Sequence, residues 1–430
     1  MRKLFIAAFI VIGTFALTAC SSTQNNTATK TEESSETNAE TSDEDKDEAA
    51  KKSKLKKPNY VHGEDGYYCI YDEMPEFNPV MQKWGTCWLY AGSASMRTAY
   101  FKQTGEYITI DPIELLDIIY GGGADKEEGF VIKSGADGRE VGGWQWIVTE
   151  TLSRGFNGLT LDSSMDIDIN DTDKIKEVVR TRGAVVAEIP DTGDGKKGVH
   201  GGCFTMNDTE TKEFDHDVTI VGYDDHFPKE YFNEEAERDG AWLTYNSNYK
   251  SDKPYYISYC TPIGYAISHT VSDQYTDVLS YDAGNEMDRT ISTGDATKTA
   301  NVFHKAGKLA AVGTYNVEKE QDIKIEIYDA AFNNVIYSQD AVLDFKGYHT
   351  IVLDEVLDVT DYAVVITYSK GAPVEGETLE NDSGYYRTIS ENGQSYVYID
   401  GWKDLTDDDI KDVLKIDFEP NNCCIKALYK

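Results

Sequence analysis

One cysteine in this sequence has surroundings that favour nucleophilic chemistry. Cys87 follows the small polar residues Gly85 and Thr86 and precedes side chains with helical spacing, which predicts a thiol at the first turn of a helix. The amide groups and the dipole at a helix N-terminus favour a thiolate over a thiol. Gln82 lies shortly upstream and can donate a side-chain hydrogen bond towards the same point. Cys87 is therefore the predicted nucleophile.

A base and an orienting group for this thiol follow later in the sequence. His216 lies 129 residues after Cys87, just before the apolar segment Val218–Tyr223. Asn246 directly follows a second predicted strand, Ala241–Tyr245. A histidine held at the start of a strand can accept the thiol proton, and an asparagine amide can fix the tautomer and orientation of its ring. The three residues in this order predict catalysis by a thiolate–imidazolium pair without any cofactor.

These segments resemble the papain-like cysteine peptidases. Gln82 with Gly85–Trp88 is similar to the oxyanion glutamine and nucleophile motif of that family, His216–Tyr223 to its histidine strand, and Trp242–Ser247 to its asparagine segment. The resemblance covers roughly residues 58 to 272. It implies a peptidase that hydrolyses peptide bonds through a thioester acyl-enzyme, with peptides or proteins as substrates.

The resemblance also implies two further roles near the nucleophile. Gln82 would hold the oxyanion together with the Cys87 backbone amide. Gly142 and Gly143 look like the glycine pair whose backbone binds the substrate main chain, and Trp88 is expected in the same substrate-binding cleft.

Three of the departures from the family pattern lie at or beside the predicted catalytic residues. Gln82 is five residues before Cys87, where the family usually has six, and the shorter loop makes the Cys87 amide the surer oxyanion donor. Asp217 replaces a small residue beside His216 and would raise the histidine pKa if it faced the cleft. Asn248 replaces the tryptophan that shields the asparagine–histidine hydrogen bond, which predicts a more solvated pair.

Three other functions fit parts of the same pattern. A degenerate peptidase scaffold could serve as a non-catalytic surface binding or adhesion protein, and a cysteine acyltransferase or amidase would use the same residues on another acceptor. A metal hydrolase would use the nearby histidines and aspartates. That interpretation is disfavoured because the residues fall on opposite strand faces and in a turn, so no metal site is predicted. Its residues are His216, Asp217, Asp224, Asp225 and His226.

The N-terminus predicts a lipid anchor. Arg2 and Lys3 precede the apolar run Leu4–Phe15, and Leu17–Cys20 resembles a bacterial lipobox. Residues 1–19 are therefore a predicted signal peptide, and Cys20 is the predicted lipidation site at the extracellular face of a bacterial membrane. Residues 20–57 are rich in Ser, Thr, acidic residues and finally Lys, which predicts a disordered tether.

The charge and the cysteines restrict partners and covalent structure. A formal net charge of −35 over 430 residues disfavours nucleic acid as a partner, because both would carry the same sign. Six cysteines follow Cys20 without a spacing that marks a disulfide framework.

The remaining sequence predicts two folded domains. In residues 58–275 helical patterns over Cys87–Tyr107, Trp144–Arg154 and Asp171–Arg182 precede three strands, which predicts an α+β, two-lobed papain-like domain with a helical lobe and a β-barrel-like lobe. In residues 276–430 short strands alternate with polar turns, as in a β-sandwich or jelly roll. This part resembles the lectin-like domain that follows such peptidases in some bacterial surface proteins, and we expect it to contact a cell-wall or extracellular polysaccharide.

Overall fold

The computed structural model describes residues 57–190, 196–249, 253–283, 289–376 and 384–430. The predicted signal peptide, the lipidation site Cys20 and the predicted tether, apart from Lys57, lie outside these ranges. Within them, no helix has both the length and the apolar composition that crossing a membrane requires.

The α-helices of the described ranges lie mainly in the first half of the chain. They are α1 (Ile70–Glu73), α2 (Cys87–Thr104), α3 (Pro112–Tyr120), α4 (Gln145–Leu152), α5 (Thr172–Thr181) and α6 (Ile410–Leu414). Helix α2 ends where Gly105 adopts a left-handed conformation with φ of 74°, as its glycine predicts. Helix α3 begins with Pro112 after the Asp111 side chain, which accepts a hydrogen bond from the Ile113 amide at 2.8 Å.

The strands of the first part, except the second, belong to a mostly antiparallel sheet around a long central strand. They are β1 (Tyr67–Cys69), β2 (Gly129–Ile132), β3 (Thr160–Asp166), β4 (Val185–Ile189), β5 (Lys197–His200), β6 (Cys203–Met206), β7 (His216–Asp224), β8 (Ala241–Tyr245), β9 (Tyr255–Ser258) and β10 (Ala266–Ser272). Strand β7 is buried along its whole length and pairs with β1, β4 and β8. Helix α2 packs across it, and Thr219 Oγ1 donates to the Ala91 carbonyl at 3.4 Å.

The strands of the second part are antiparallel. They are β11 (Asp277–Ser280), β12 (Thr290–Ile291), β13 (Thr297–Asn316), β14 (Gln321–Asp329), β15 (Val335–Leu343), β16 (Lys346–Tyr368), β17 (Ala372–Gly376), β18 (Gly384–Arg387), β19 (Ser395–Tyr398), β20 (Trp402–Asp404), β21 (Pro420–Cys423) and β22 (Ile425–Tyr429). The sequence pattern predicts separate short strands over 309–315, 348–353 and 362–368, but these are pieces of β13 and β16, which pair along almost their whole length with register shifts. Such shifts interrupt the period-two pattern, which explains the misassigned ends.

The two parts share strands as well as a core. Strand β3 pairs with β10 of the first part on one edge and with β16 of the second on the other. Strand β2 pairs with β18. Side chains from both parts also belong to one apolar cluster, to which the second part contributes Tyr315, Tyr348, Tyr386 and Cys424.

A buried ion pair stabilises the second part close to this junction. The Lys426 ammonium bonds to the Asp282 carboxylate, and their side chains are 0% and 2% exposed. The ammonium also lies 5.0 Å from the centre of the Tyr315 ring. Removing the cation would leave a buried carboxylate without its counter-charge.

Lys426→Ala is therefore expected to lower the free energy of unfolding by about 3–5 kcal/mol, measured by urea denaturation. The matched control is Lys308→Ala, which breaks the surface pair with Asp358 (3.0 Å, side chains 60% and 85% exposed). That change should cost less than about 1 kcal/mol. Equal losses for the two variants would contradict a structural role for the buried pair.

Candidate active site

Cys87 is the first residue of α2, as the sequence predicts. This residue is buried, at 8% exposure. In the loop that precedes the helix, Trp84 has a left-handed backbone with φ of 62°, which is uncommon for a residue with a side chain. The Gly85 amide donates to the Arg139 carbonyl at 2.9 Å, and the Arg139 guanidinium lies 4.6 Å from the centre of the Trp84 ring. The loop is thus fixed against a neighbouring segment.

His216 and Asn246 form the second piece of the site. His216 is the first residue of β7, Asn246 directly follows β8, and His216 Nε2 lies 3.0 Å from Asn246 Oδ1. A hydrogen bond from Nε2–H to this oxygen leaves Nδ1 as the basic nitrogen of the ring. The pairing of β7 with β8 brings the two residues together.

One glutamine amide connects the nucleophile segment to the histidine segment. Gln145 Nε2 donates to the Trp88 carbonyl at 2.8 Å and to Asp217 Oδ2 at 2.9 Å. Trp88 follows Cys87 and Asp217 follows His216, so a single nitrogen bridges the two neighbours of the predicted catalytic pair. Gln145 Oε1 is 2.9 Å from Nε2 of the buried His269, and this contact fixes the amide orientation.

Gln82 is held by the segment that follows Asn246. Its Oε1 accepts from Ser247 Oγ at 2.6 Å, and its backbone amide donates to the Ser247 carbonyl at 2.7 Å. Its Nε2 donates to the Trp84 carbonyl at 3.0 Å. An amide nitrogen carries two hydrogens, so this bond leaves Nε2 the capacity for one more acceptor. The oxyanion role of Gln82 stays a prediction.

The glycine pair is next to Trp88, whose indole packs against Gly143. Gly142 has φ of 78°, and a Cβ there would meet nothing within 4 Å. A Cβ on Gly143 would lie 2.4 Å from Cε2 of the Trp88 indole, so only glycine fits above this ring. Trp88 itself is 0% exposed. The prediction that Trp88 contacts substrate is therefore wrong: its indole supports the glycine pair from beneath.

The structure also shows the consequences of two positions, Asp217 and Asn248, at which the sequence departs from the papain-like pattern. Asp217 does not act as an open charge, since its carboxyl is buried and accepts hydrogen bonds from Gln145 and from the Tyr265 hydroxyl at 2.6 Å. Burial raises the pKa of Asp217 to about 7. His216 and Asn246 are both buried, so the expectation of a more solvated pair is wrong. The Asn248 backbone amide donates to Asn246 Oδ1 at 3.1 Å and helps to fix it.

The sequence reasoning missed Gln145, Tyr265 and His269. Gln145 is a fully buried polar residue two positions after the glycine pair, and that position was the only available signal. Burial lowers the pKa of His269 to about 3, so its ring is neutral and serves as a hydrogen-bonding support. Nothing in the sequence around His269 or Tyr265 marks them.

The residues of the metal-hydrolase alternative are not brought together. His216 and Asp224 occupy opposite ends of β7, about 26 Å apart from the rise per residue of a strand. Asp225 instead pairs with Lys176 at 2.6 Å. Among the described residues no group of three or more His, Cys, Asp or Glu side chains has an arrangement that could hold a metal ion.

Comparisons with known proteins match this architecture. The family model described as "Lectin like domain" matches residues 280–429. The structure of a clostridial cysteine protease, Cwp84 after propeptide cleavage, superposes with a TM-score of 0.69 at 16% identity, covering 85% of this chain and 99% of that one. The cysteine protease and lectin-like domains of Cwp84, a surface layer associated protein of Clostridium difficile, give 0.68 at 15% identity, covering 87% and 91%. A search of the curated proteins finds no significant match.

These matches confirm the predicted fold class. The chain has the α+β fold of a papain-like cysteine peptidase followed by an all-β, lectin-like domain. At 15–16% identity they establish the fold and not the activity.

Proposed function

We propose that this chain, whose fold is that of a papain-like peptidase joined to a lectin-like domain, is a cysteine endopeptidase. The observation that carries the proposal is the buried contact of 3.0 Å between His216 Nε2 and Asn246 Oδ1, in a site whose histidine and cysteine segments are bridged by Gln145. A neutral ring with its proton on Nε2 is the base that a thiol at a helix start requires.

In this proposal His216 takes the Cys87 proton, and the thiolate attacks the carbonyl carbon of a peptide bond. The imidazolium then protonates the leaving amine as the C–N bond breaks, which leaves a thioester on Cys87. His216 next accepts a proton from water, the resulting hydroxide attacks the thioester, and the acid product leaves as the thiol is restored. Asn246 keeps the ring oriented through both steps.

The tetrahedral oxyanion would be held by backbone and side-chain donors. First-turn amides point out of the end of α2, and the Cys87 amide is the donor that the helix itself positions. Gln82 Nε2 would be the second donor. The peptide main chain would lie along Gly142 and Gly143, where the Cβ position of Gly142 has nothing within 4 Å.

The proposed location is the extracellular face of a bacterial membrane, with a lipid on Cys20 and residues 21–57 as the tether. Support comes from the lipobox-like sequence and from the description of Cwp84 as surface layer associated. The lectin-like part would hold the enzyme near a cell-wall or extracellular polysaccharide. Mass spectrometry of the N-terminal peptide, with and without globomycin-type inhibition of lipoprotein processing, tests the lipid.

A peptide library tests the proposed activity. Incubation with the purified chain should give new amino termini inside peptides, because an endopeptidase releases amines from internal bonds. Transfer of acyl groups to added amines without net hydrolysis would favour an acyltransferase instead.

Thiol titration separates the enzyme from a non-catalytic scaffold. The proposal predicts a Cys87 pKa well below the ordinary cysteine value of about 8.5, seen as rapid alkylation at acidic pH. Alkylation that follows an ordinary thiol pKa would favour the binding protein.

Gln82→Ala is expected to lower kcat by about 10²–10³-fold with little change in KM, because an oxyanion donor acts in the transition state. The matched control is Gln103→Ala, which removes an exposed glutamine from the far end of α2. Thermal unfolding of both variants checks that the loss of the Ser247 bond has not unfolded the loop. A kcat equal to that of the parent would show that Gln82 donates no oxyanion hydrogen bond.

A further inference from the structure

A second group of titratable side chains lies beside the proposed active site and has no part in the thiol chemistry. Glu188 on β4 lies directly opposite Asp217 on β7, in the register that also places Ile189 opposite His216. Residues directly opposite in an antiparallel pair project to the same face of the sheet. The two carboxyl groups therefore share one face, next to the strand position of the predicted base.

The Asp217 carboxyl is closed to ligands. Its side chain is 4% exposed, and both oxygens are occupied by the Tyr265 hydroxyl and by Gln145 Nε2. It serves as an internal acceptor that connects the cleft segments.

The Glu188 carboxyl differs from that of Asp217 in its burial and in its hydrogen bonding. It is only partly buried, and it makes no hydrogen bond or ion pair with any residue of the described ranges. Burial, followed by the nearby carboxyls of Asp217 and Asp215, raises the pKa of Glu188 to about 8. A cation beside Glu188 would remove the cost of its ionisation, because an opposite charge favours the charged form.

The surroundings of Glu188 hold its backbone in place and leave the residue partly exposed. Its amide donates to the Tyr265 carbonyl at 3.2 Å, and its carbonyl accepts from the Gly264 amide at 2.9 Å. A Cβ on the exposed Gly264 would lie 2.3 Å from Glu188 Oε2 and 3.0 Å from the Phe214 ring. Glycine at the exposed position 264 thus leaves space beside a partly buried carboxylate and an aromatic ring, a combination that can receive an ammonium or guanidinium group.

Tyr265, which bonds to Asp217, lies within electrostatic reach of the nucleophile. Burial and the charges of Asp217, Glu188 and Cys87 raise the pKa of Tyr265 well above its ordinary value. Gln145, which bonds to Asp217, is two residues after Gly143. An extended peptide laid along the glycine pair would point alternate side chains to opposite sides, and a subsite at Glu188 requires one of these sides to face it.

We propose that Glu188, with the Phe214 ring beside it, forms a subsite for a lysine or arginine side chain of the peptide substrate, close to the scissile bond. The subsite rests on the proposed peptidase function. When the cation enters, Glu188 releases its proton to solvent and the carboxylate pairs with the substrate.

Matched peptides test this subsite. Each carries Lys, norleucine or Glu at one position near the cleaved bond, and kcat/KM is compared within each set. The parent protein should prefer Lys over norleucine by about tenfold or more, on the scale of a charge-assisted hydrogen bond. Glu188→Gln should bring this ratio close to one, and Glu188→Lys should reverse it in favour of Glu. The control is Glu213→Gln, an exposed carboxylate nearby, which should leave the ratio as it is.

The pH dependence of the same ratio gives a readout that a structural role would not produce. The Lys-to-norleucine ratio should rise as the pH passes through the Glu188 pKa of about 8, since only the ionised carboxylate pairs with the cation. The ratio cancels the titration of the catalytic groups, and Asp215, Asp217 and Tyr265 are unchanged in the variants. In Glu188→Gln the ratio should be flat with pH.

The outcomes separate the subsite from the peptidase function. Cleavage of all peptides without a Lys preference, or a preference that survives Glu188→Gln, would overturn the subsite and leave the peptidase function intact. Cleavage of none of them would overturn the peptidase function, and the subsite with it. The measurements on the parent protein need no variant, so a poorly folding variant cannot hide the result.

Discussion

Cys87→Ala is expected to reduce peptide hydrolysis by at least about 10⁴-fold, the scale on which loss of a catalytic nucleophile acts. The reason is that no other group in the proposed site can form the acyl-enzyme. Substrate binding along Gly142 and Gly143 should persist, so the loss should fall on kcat. The measurement is the initial rate on a fluorogenic peptide, at equal concentrations of folded protein.

The matched control for this change is Cys203→Ala. Cys203 is partly accessible, but burial raises the pKa of its thiol and it lies on β6, away from α2. Its replacement should leave the rate within about twofold, the range of surface substitutions of small effect. Equal losses for the two variants would mean that the rate reports folding and not the nucleophile, and a normal rate in Cys87→Ala would exclude Cys87 as the nucleophile.

A chain that ends at residue 275 is expected not to fold into an active peptidase, although the sequence patterns divide the protein into two domains at that point. The truncation removes β16 and β18, and so leaves the edges of β3 and β2 without partners. It also removes Tyr315, Tyr348 and Tyr386 from the shared core.

The expected size of this effect follows from the lost aromatic packing. Deleting one buried aromatic side chain costs about 3–5 kcal/mol, so three amount to about 10 kcal/mol. That is comparable with the whole net stability of about 5–15 kcal/mol for a folded protein. The aromatic contacts also continue towards the site, since the Tyr386 ring lies 5.2 Å from Phe130 and Phe130 lies 5.5 Å from Trp144, next to Gly143.

Limited proteolysis and thermal unfolding followed by circular dichroism measure this result. The control is a chain that lacks residues 1–56, outside the described ranges, which should unfold cooperatively like the full chain. Tyr386→Ala should lose stability, because it removes the ring that contacts Phe130 and the hydroxyl that bonds to the buried Glu150. A truncated chain that unfolds cooperatively and cleaves peptides at the parent rate would show that the second part is a separable module.

Sequence patterns are sufficient to predict those site residues whose role depends on their local position in a helix or strand. A cysteine after Gly85–Thr86 at a helix start, and a histidine at the head of an apolar strand, are local features that the structure reproduces at Cys87 and His216. The Asn246 contact also follows, because β7 and β8 are close in sequence and pair directly.

The parts that sequence reasoning misses depend on contacts between distant segments. The pairing of β3 with β16 joins residues at least 180 positions apart, and no local pattern selects that partner. Trp88 is predicted in the cleft because it follows Cys87, yet the turn of the helix directs its ring under Gly143. In the sequence Gln145 is an ordinary polar residue at a helix start. Its role follows only from the folded structure, where its amide contacts Trp88, Asp217 and His269.

The most direct test of the account is to identify the residue that a peptide-like epoxide alkylates. The protein is treated with an equimolar amount of the epoxide at pH 6 and digested, and the adduct is located by mass spectrometry. The proposed thiolate–imidazolium pair predicts one adduct per chain, on Cys87, formed as peptidase activity is lost and absent when His216 is changed to alanine. Labelling spread over Cys203, Cys260 and Cys87 at the slow rate of ordinary thiols would contradict a catalytic site at Cys87.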